Sequence, residues 1–183
     1  MKLNPFNPFL RLAGFQALLP GLAIIIITAF LASYGRVHFD GALDMHLGAV
    51  THLAWYFIEP FVALFSLILC LYFSGLIFSK SNIRFIDVAG TVCLSRAPMF
   101  FIAVLAFIPG LAVTDPYHMT IVQKTFAFVS LFFLIWMVAL LYNAYTVSCN
   151  IKGTKAIVTF IGALLCAELI SKYLIINLYP LIK

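Results

Sequence analysis

The stretch "HFDGALDMH", residues 38–46, sets two imidazoles and two carboxylates into a near-palindrome. Neutral imidazole nitrogens and carboxylate oxygens are ligands for zinc and similar divalent ions. A tight turn at Gly41-Ala42-Leu43 would put Asp40 opposite Asp44 and His38 opposite His46. Two facing carboxylates repel unless a cation lies between them. A helix would still place Asp40 and Asp44 on one face at i, i+4, with His46 diverging. His38, Asp40, Asp44, His46 and His118 are therefore the candidate metal set, and a divalent metal such as zinc is the cofactor it would take. His52, Glu59 and Asp115 are further donors that could converge with this set from across the loops. The competing reading is a hydrated loop in which Asp and His are ordinary polar residues, since no His-Glu-x-x-His spacing is present.

A second pair lies in an apolar run. "CAELISKY" places Glu168 and Lys172 at i, i+4, the favourable order for a helical ion pair. Ionisable side chains inside a bilayer are costly, so both are expected to face protein and find partners. One reading is a proton or ion path with Glu168 as carrier; the other is a neutralised structural pair, or a protonated Glu168 satisfied by a neighbouring helix. Around the third apolar run, Arg84, Asp87 and Arg96 are expected as interfacial anchors, with the arginines reaching lipid phosphates. Glu59, before Pro60, is expected near a helix start, where a negative charge is favourable.

The elements that must position these groups follow from composition. The chain has 183 residues, of which 64% are hydrophobic and 9% charged, whereas soluble domains carry about 25% charged residues. Apolar runs of roughly 18 residues or more indicate membrane spans. The formal charge of +5 comes from scattered Lys and Arg without a basic cluster, so nucleic acid is not an expected partner. Five spans are expected, at about Leu12–Tyr34, Ala54–Ser79, Asp87–Val113, Val122–Ala144 and Thr154–Tyr179. The first is too long for a signal-peptide core and is expected to be retained. Backbone groups in lipid must be satisfied within each segment, so the expected fold is all-α: a polytopic bundle of five transmembrane helices forming one domain over residues 1–183. Within the third span, Pro98 should break the helix. Ile83–Arg96 then reads either as an amphipathic interfacial helix or as the first half of a kinked span.

Basic residues set the expected orientation. Lys2, Arg11, Lys80, Arg84, Arg96, Lys152 and Lys155 fall on the N-terminal side, against Arg36, Lys124 and Lys183 on the other. That bias places the N-terminus inside and the C-terminus outside, in a plasma (cytoplasmic, inner) membrane. All the histidines then lie outside. Cys70, Cys93, Cys149 and Cys166 lie in spans or an inner loop, where they read as small packing residues. Trp55, Tyr56, Tyr117 and Tyr179 would form an aromatic belt at the outer boundary.

The layout of five close spans, together with "IRFIDVAGTVCLSRAPMFFI" and, more loosely, "YNAYTVSCNIKGTKA", resembles the Yip family of Ypt/Rab-interacting proteins, in particular its bacterial branch. The resemblance implies a membrane protein acting in membrane organisation or transport and brings no catalytic residue. Relatives that contact Rab GTPases do so partly through long cytosolic N-terminal segments. With about eleven residues ahead of the first span, a Rab-type GTPase is not an expected partner. The lipid bilayer is the expected partner, and enclosing a pore would require a homo-oligomer. No nucleophile setting, phosphate-binding loop or dinucleotide fingerprint is present, so enzymatic activity is not expected. A small permease using Glu168 and Lys172 and a metal-binding protein using the His/Asp loop are the alternatives.

Overall fold

Long apolar runs with few breakers should form helices wherever the backbone can close its own hydrogen bonds. A computed structural model describes residues 7–48, 52–111 and 118–181 of the chain. It shows α1 (Phe15–Gly35), α2 (Trp55–Phe78), α3 (Phe85–Ser95), α4 (Pro98–Leu105), α5 (Ile121–Cys149) and α6 (Gly153–Leu178). Among the described residues, β1 (Val37–His38) and β2 (His46–Leu47) form a small antiparallel hairpin between α1 and α2. With α3 and α4 counted together, five segments among the described residues are long and apolar enough to cross a membrane. It is an all-α, membrane-embedded bundle.

The break between α3 and α4 has a local cause. Pro98 lacks the N–H that would reach the carbonyl of Leu94, and its ring would clash there. The Leu94 carbonyl instead accepts from the Ala97 N–H at 3.1 Å, which tightens the turn around Arg96. Pro98 then occupies the first position of α4, where its missing donor costs nothing.

α3 is not an interfacial helix. Residues Val88, Ala89, Gly90, Thr91, Val92 and Cys93 are all buried in succession, so the helix has no lipid-phosphate face to speak of. It lies between α1 and α5, while α4 continues along the same two helices. Small residues allow this close approach: a Cβ at Gly90 would collide with the Gly14 carbonyl oxygen. α2 packs chiefly on α6.

Two boundaries differ from expectation. α5 runs to Cys149 rather than stopping near Ala144. Its last turns are held by the buried Tyr145, whose hydroxyl donates to Thr159 Oγ1 and meets Ser74 Oγ, both at 2.9 Å. α5 starts at a capping box, with Thr120 and Gln123 each satisfying the other's backbone N–H. At the other end of the third segment, α4 ends at Leu105, and the expected limit at Val113 lies outside the described residues, as do Asp115 and Tyr117.

Candidate functional site

The hairpin register is the one a turn at Gly41-Ala42-Leu43 implies: Val37 pairs with Leu47 and His38 with His46. Val37, Phe39 and Ala42 point inward and are buried. Phe39 shares the walls of a space of about 10 Å³ with Ile25, Pro60, Arg96 and Met99. The hairpin is therefore inserted among α1, α2 and α4 rather than laid over them.

This insertion brings the loop acids to the charged groups of the spans. Lys172 Nζ lies 2.6 Å from Asp40 Oδ2 and 2.7 Å from Asp44 Oδ2. The cation required between two facing carboxylates is thus supplied by α6. Asp40 also takes His46 Nδ1 at 2.9 Å on its other oxygen, and the His38 and His46 rings stack at 5.6 Å between centroids. One turn earlier on α6, Glu168 Oε2 accepts the Leu43 backbone N–H at 2.8 Å. A Cβ at Gly41 would run into Glu168 Oε1, so a larger residue there would push the carboxylate away from the turn.

Glu168 and Lys172 each bond the hairpin, where i, i+4 spacing suggested that they pair with each other. Their side chains reach beyond the end of their own turn, and the loop offers both a backbone donor and two carboxylates. Arg96 differs from expectation more strongly. It is 2% exposed and donates from Nη1 to the Ala42 carbonyl at 3.1 Å, with Glu168 as its electrostatic counterpart. It cannot reach lipid phosphates. The turn that Pro98 forces at residues 96 and 97 directs the guanidinium into the bundle.

Glu59 also departs from the simple helix-start reading. α2 begins at Trp55, so Glu59 and Pro60 lie inside the helix, and Glu59 is 0% exposed. Its carboxylate accepts from the Tyr179 hydroxyl and from His38 Nδ1, the latter at 3.0 Å. Tyr179 stacks on Trp55 at 4.2 Å. Trp55 and Tyr56 are buried instead of lining a lipid boundary: Trp55 fastens the end of α6 to the start of α2, and the Tyr56 hydroxyl donates to the Gly48 carbonyl at 3.4 Å. Arg84 and Asp87 do pair, at 2.7 and 3.0 Å in a bidentate contact with Arg84 exposed. His52 and His118 are exposed and lie outside the cluster.

Among the described residues, the group whose ligand atoms converge is Asp40, Asp44 and His46, all within 4.8 Å of one another. Two carboxylates and an imidazole suit a zinc-like ion, and Lys172 competes for the same oxygens. His38 is turned to Glu59. Sequence reasoning missed Tyr179, the Leu43 amide and the Arg96–Ala42 contact. The one available signal was Arg96 itself, an arginine within an apolar run that must find an internal partner.

Burial pushes the Asp40 carboxyl upward, but hydrogen bonds from Lys172 and His46, with their charges, outweigh it and hold it below its ordinary 3.8. A carboxylate with a depressed folded-state value stabilises the fold above its unfolded value and loses that contribution as pH falls through the folded one. Thermal melts of the wild type and Asp40→Asn should therefore differ at neutral pH, and the gap should close as pH drops below 3.8.

Comparison with family models, curated proteins and solved structures finds no match.

Proposed function

We propose that the chain is a Yip-type integral membrane protein without enzymatic activity, acting in membrane organisation or transport. In this reading it sits in a bacterial cytoplasmic membrane with its N-terminus inside. The family reading rests on the resemblance of the sequence around Pro98, "IRFIDVAGTVCLSRAPMFFI". The non-enzymatic reading rests on one observation: Arg96, Glu168 and Lys172 are all engaged in fixing the hairpin to the bundle. Groups held this way serve as a lock, and the surface left to lipid is apolar, with Phe128, Phe132, Ile77 and Leu169 exposed.

Proteoliposome flux tests this. Proton and cation leak should match protein-free vesicles, for the wild type and for Glu168→Gln alike. Wild-type flux that disappears in Glu168→Gln would instead favour the permease reading. A second reading, divalent-cation binding at the hairpin, is supported by the convergence of Asp40, Asp44 and His46 within 4.8 Å. It predicts stoichiometric zinc uptake by purified protein that His46→Ala weakens at least about tenfold; equal uptake by both would remove it.

A further inference from the structure

A groove runs along the lipid-facing seam between α2 and α6, with a volume of about 480 Å³. Its walls include Phe73, Ile77 and Phe78 from α2 and Val158, Gly162 and Ile170 from α6. A Cβ at Gly162 would meet no atom within 4 Å, so the space there is open. Val158 to Ile170 covers about 18 Å at 1.5 Å per residue, a little more than one leaflet's share of the ~30 Å hydrocarbon core. Such a space in a bilayer is filled by something apolar along its length.

One end of the groove carries charge. Lys155 Nζ stands 5.8 Å from the centre of the Phe78 ring. The loop after α2 and the loop before α6 are tied together there by Asn150 Nδ2 donating to Ser81 Oγ at 2.9 Å, which brings exposed Lys80 and Lys152 to the same end. The nearby described acid, Asp87, is held by Arg84. Whatever occupies the groove is thus apolar over one leaflet and favours negative charge at the lysine end. A second copy in the same orientation would bring its own three lysines against these and be repelled.

We propose that this groove is a binding site for one anionic phospholipid, with an acyl chain between α2 and α6 and the phosphate among Lys80, Lys152 and Lys155. The arrangement matches the way basic residues beside a membrane span recruit anionic headgroups. It needs only that the helices cross a bilayer, and it is independent of the function proposed above.

Native mass spectrometry of the full chain, from micelles doped equally with phosphatidylglycerol and phosphatidylcholine, tests the site. The expected result is one phosphatidylglycerol retained per monomer. Gly162→Leu, which fills open space, should lower that retention about tenfold. Lys155→Gln, on an exposed residue that leaves folding intact, should lower phosphatidylglycerol retention about fivefold and leave phosphatidylcholine unchanged. Equal retention of the two lipids by the wild type overturns the proposal, as does an unchanged adduct in Lys155→Gln. A dimer that Gly162→Leu dissociates would show that a second copy, not lipid, fills the groove.

Discussion

Arg96→Met should destabilise the protein by about 3 kcal/mol, the upper end of the cost of leaving a buried acceptor, here the Ala42 carbonyl, without its donor. Arg96 is 2% exposed, so solvent cannot replace what the guanidinium provides to the Ala42 carbonyl and to Glu168. An arginine lying at the lipid boundary would behave otherwise, since surface changes fall within about 0.5 kcal/mol. The double variant Arg96→Met with Glu168→Leu removes both charges together. It should cost less than the sum of the two single variants, with a coupling of at least about 1 kcal/mol. Denaturation in mixed micelles reads both quantities. Strict additivity would show that the two side chains act independently.

Lys172→Met should have the next largest effect. Without the ammonium, Asp40 and Asp44 face each other unneutralised. The full buried-pair cost does not apply, because the Lys172 side chain is 29% exposed and that of Asp44 43%. Allowing for screening by solvent, a loss of about 2–3 kcal/mol is expected. Adding Asp40→Asn and Asp44→Asn removes the repulsion and should restore most of the loss. Failure of the added substitutions to restore stability would mean that Lys172 stabilises through its aliphatic stem rather than its charge.

The sequence made some of this plain. Five long apolar runs leave the backbone no option but helices, and Pro98 breaks the third where its chemistry requires. The palindrome around Ala42 carried its own register, because antiparallel pairing about a turn sets residues at equal distances from the centre opposite each other. The partners of the buried charges were less legible. Spacing along α6 favours Glu168 with Lys172, yet both reach a loop more than 120 positions away in the chain, with Leu43 N–H to Glu168 separated by 125 residues. Periodicity reports neighbours within a helix and is silent about such distant contacts. Arg96 was misread for a related reason: Asp87 and Arg84 gave the lead into the third span an interfacial look, whereas the close approach of α1 at Gly90 buries the stretch from Val88 to Cys93 that follows them. Tyr179 looked like a boundary aromatic because its partner Glu59 lies 120 residues away.

That charges within the spans fasten the hairpin to the bundle is tested most directly at the Leu43 amide. Its donation to Glu168 Oε2 at 2.8 Å should slow hydrogen exchange in the wild type, and Glu168→Leu should speed it at least about tenfold. Rapid exchange at Leu43 in the wild type, unchanged by the substitution, would contradict it.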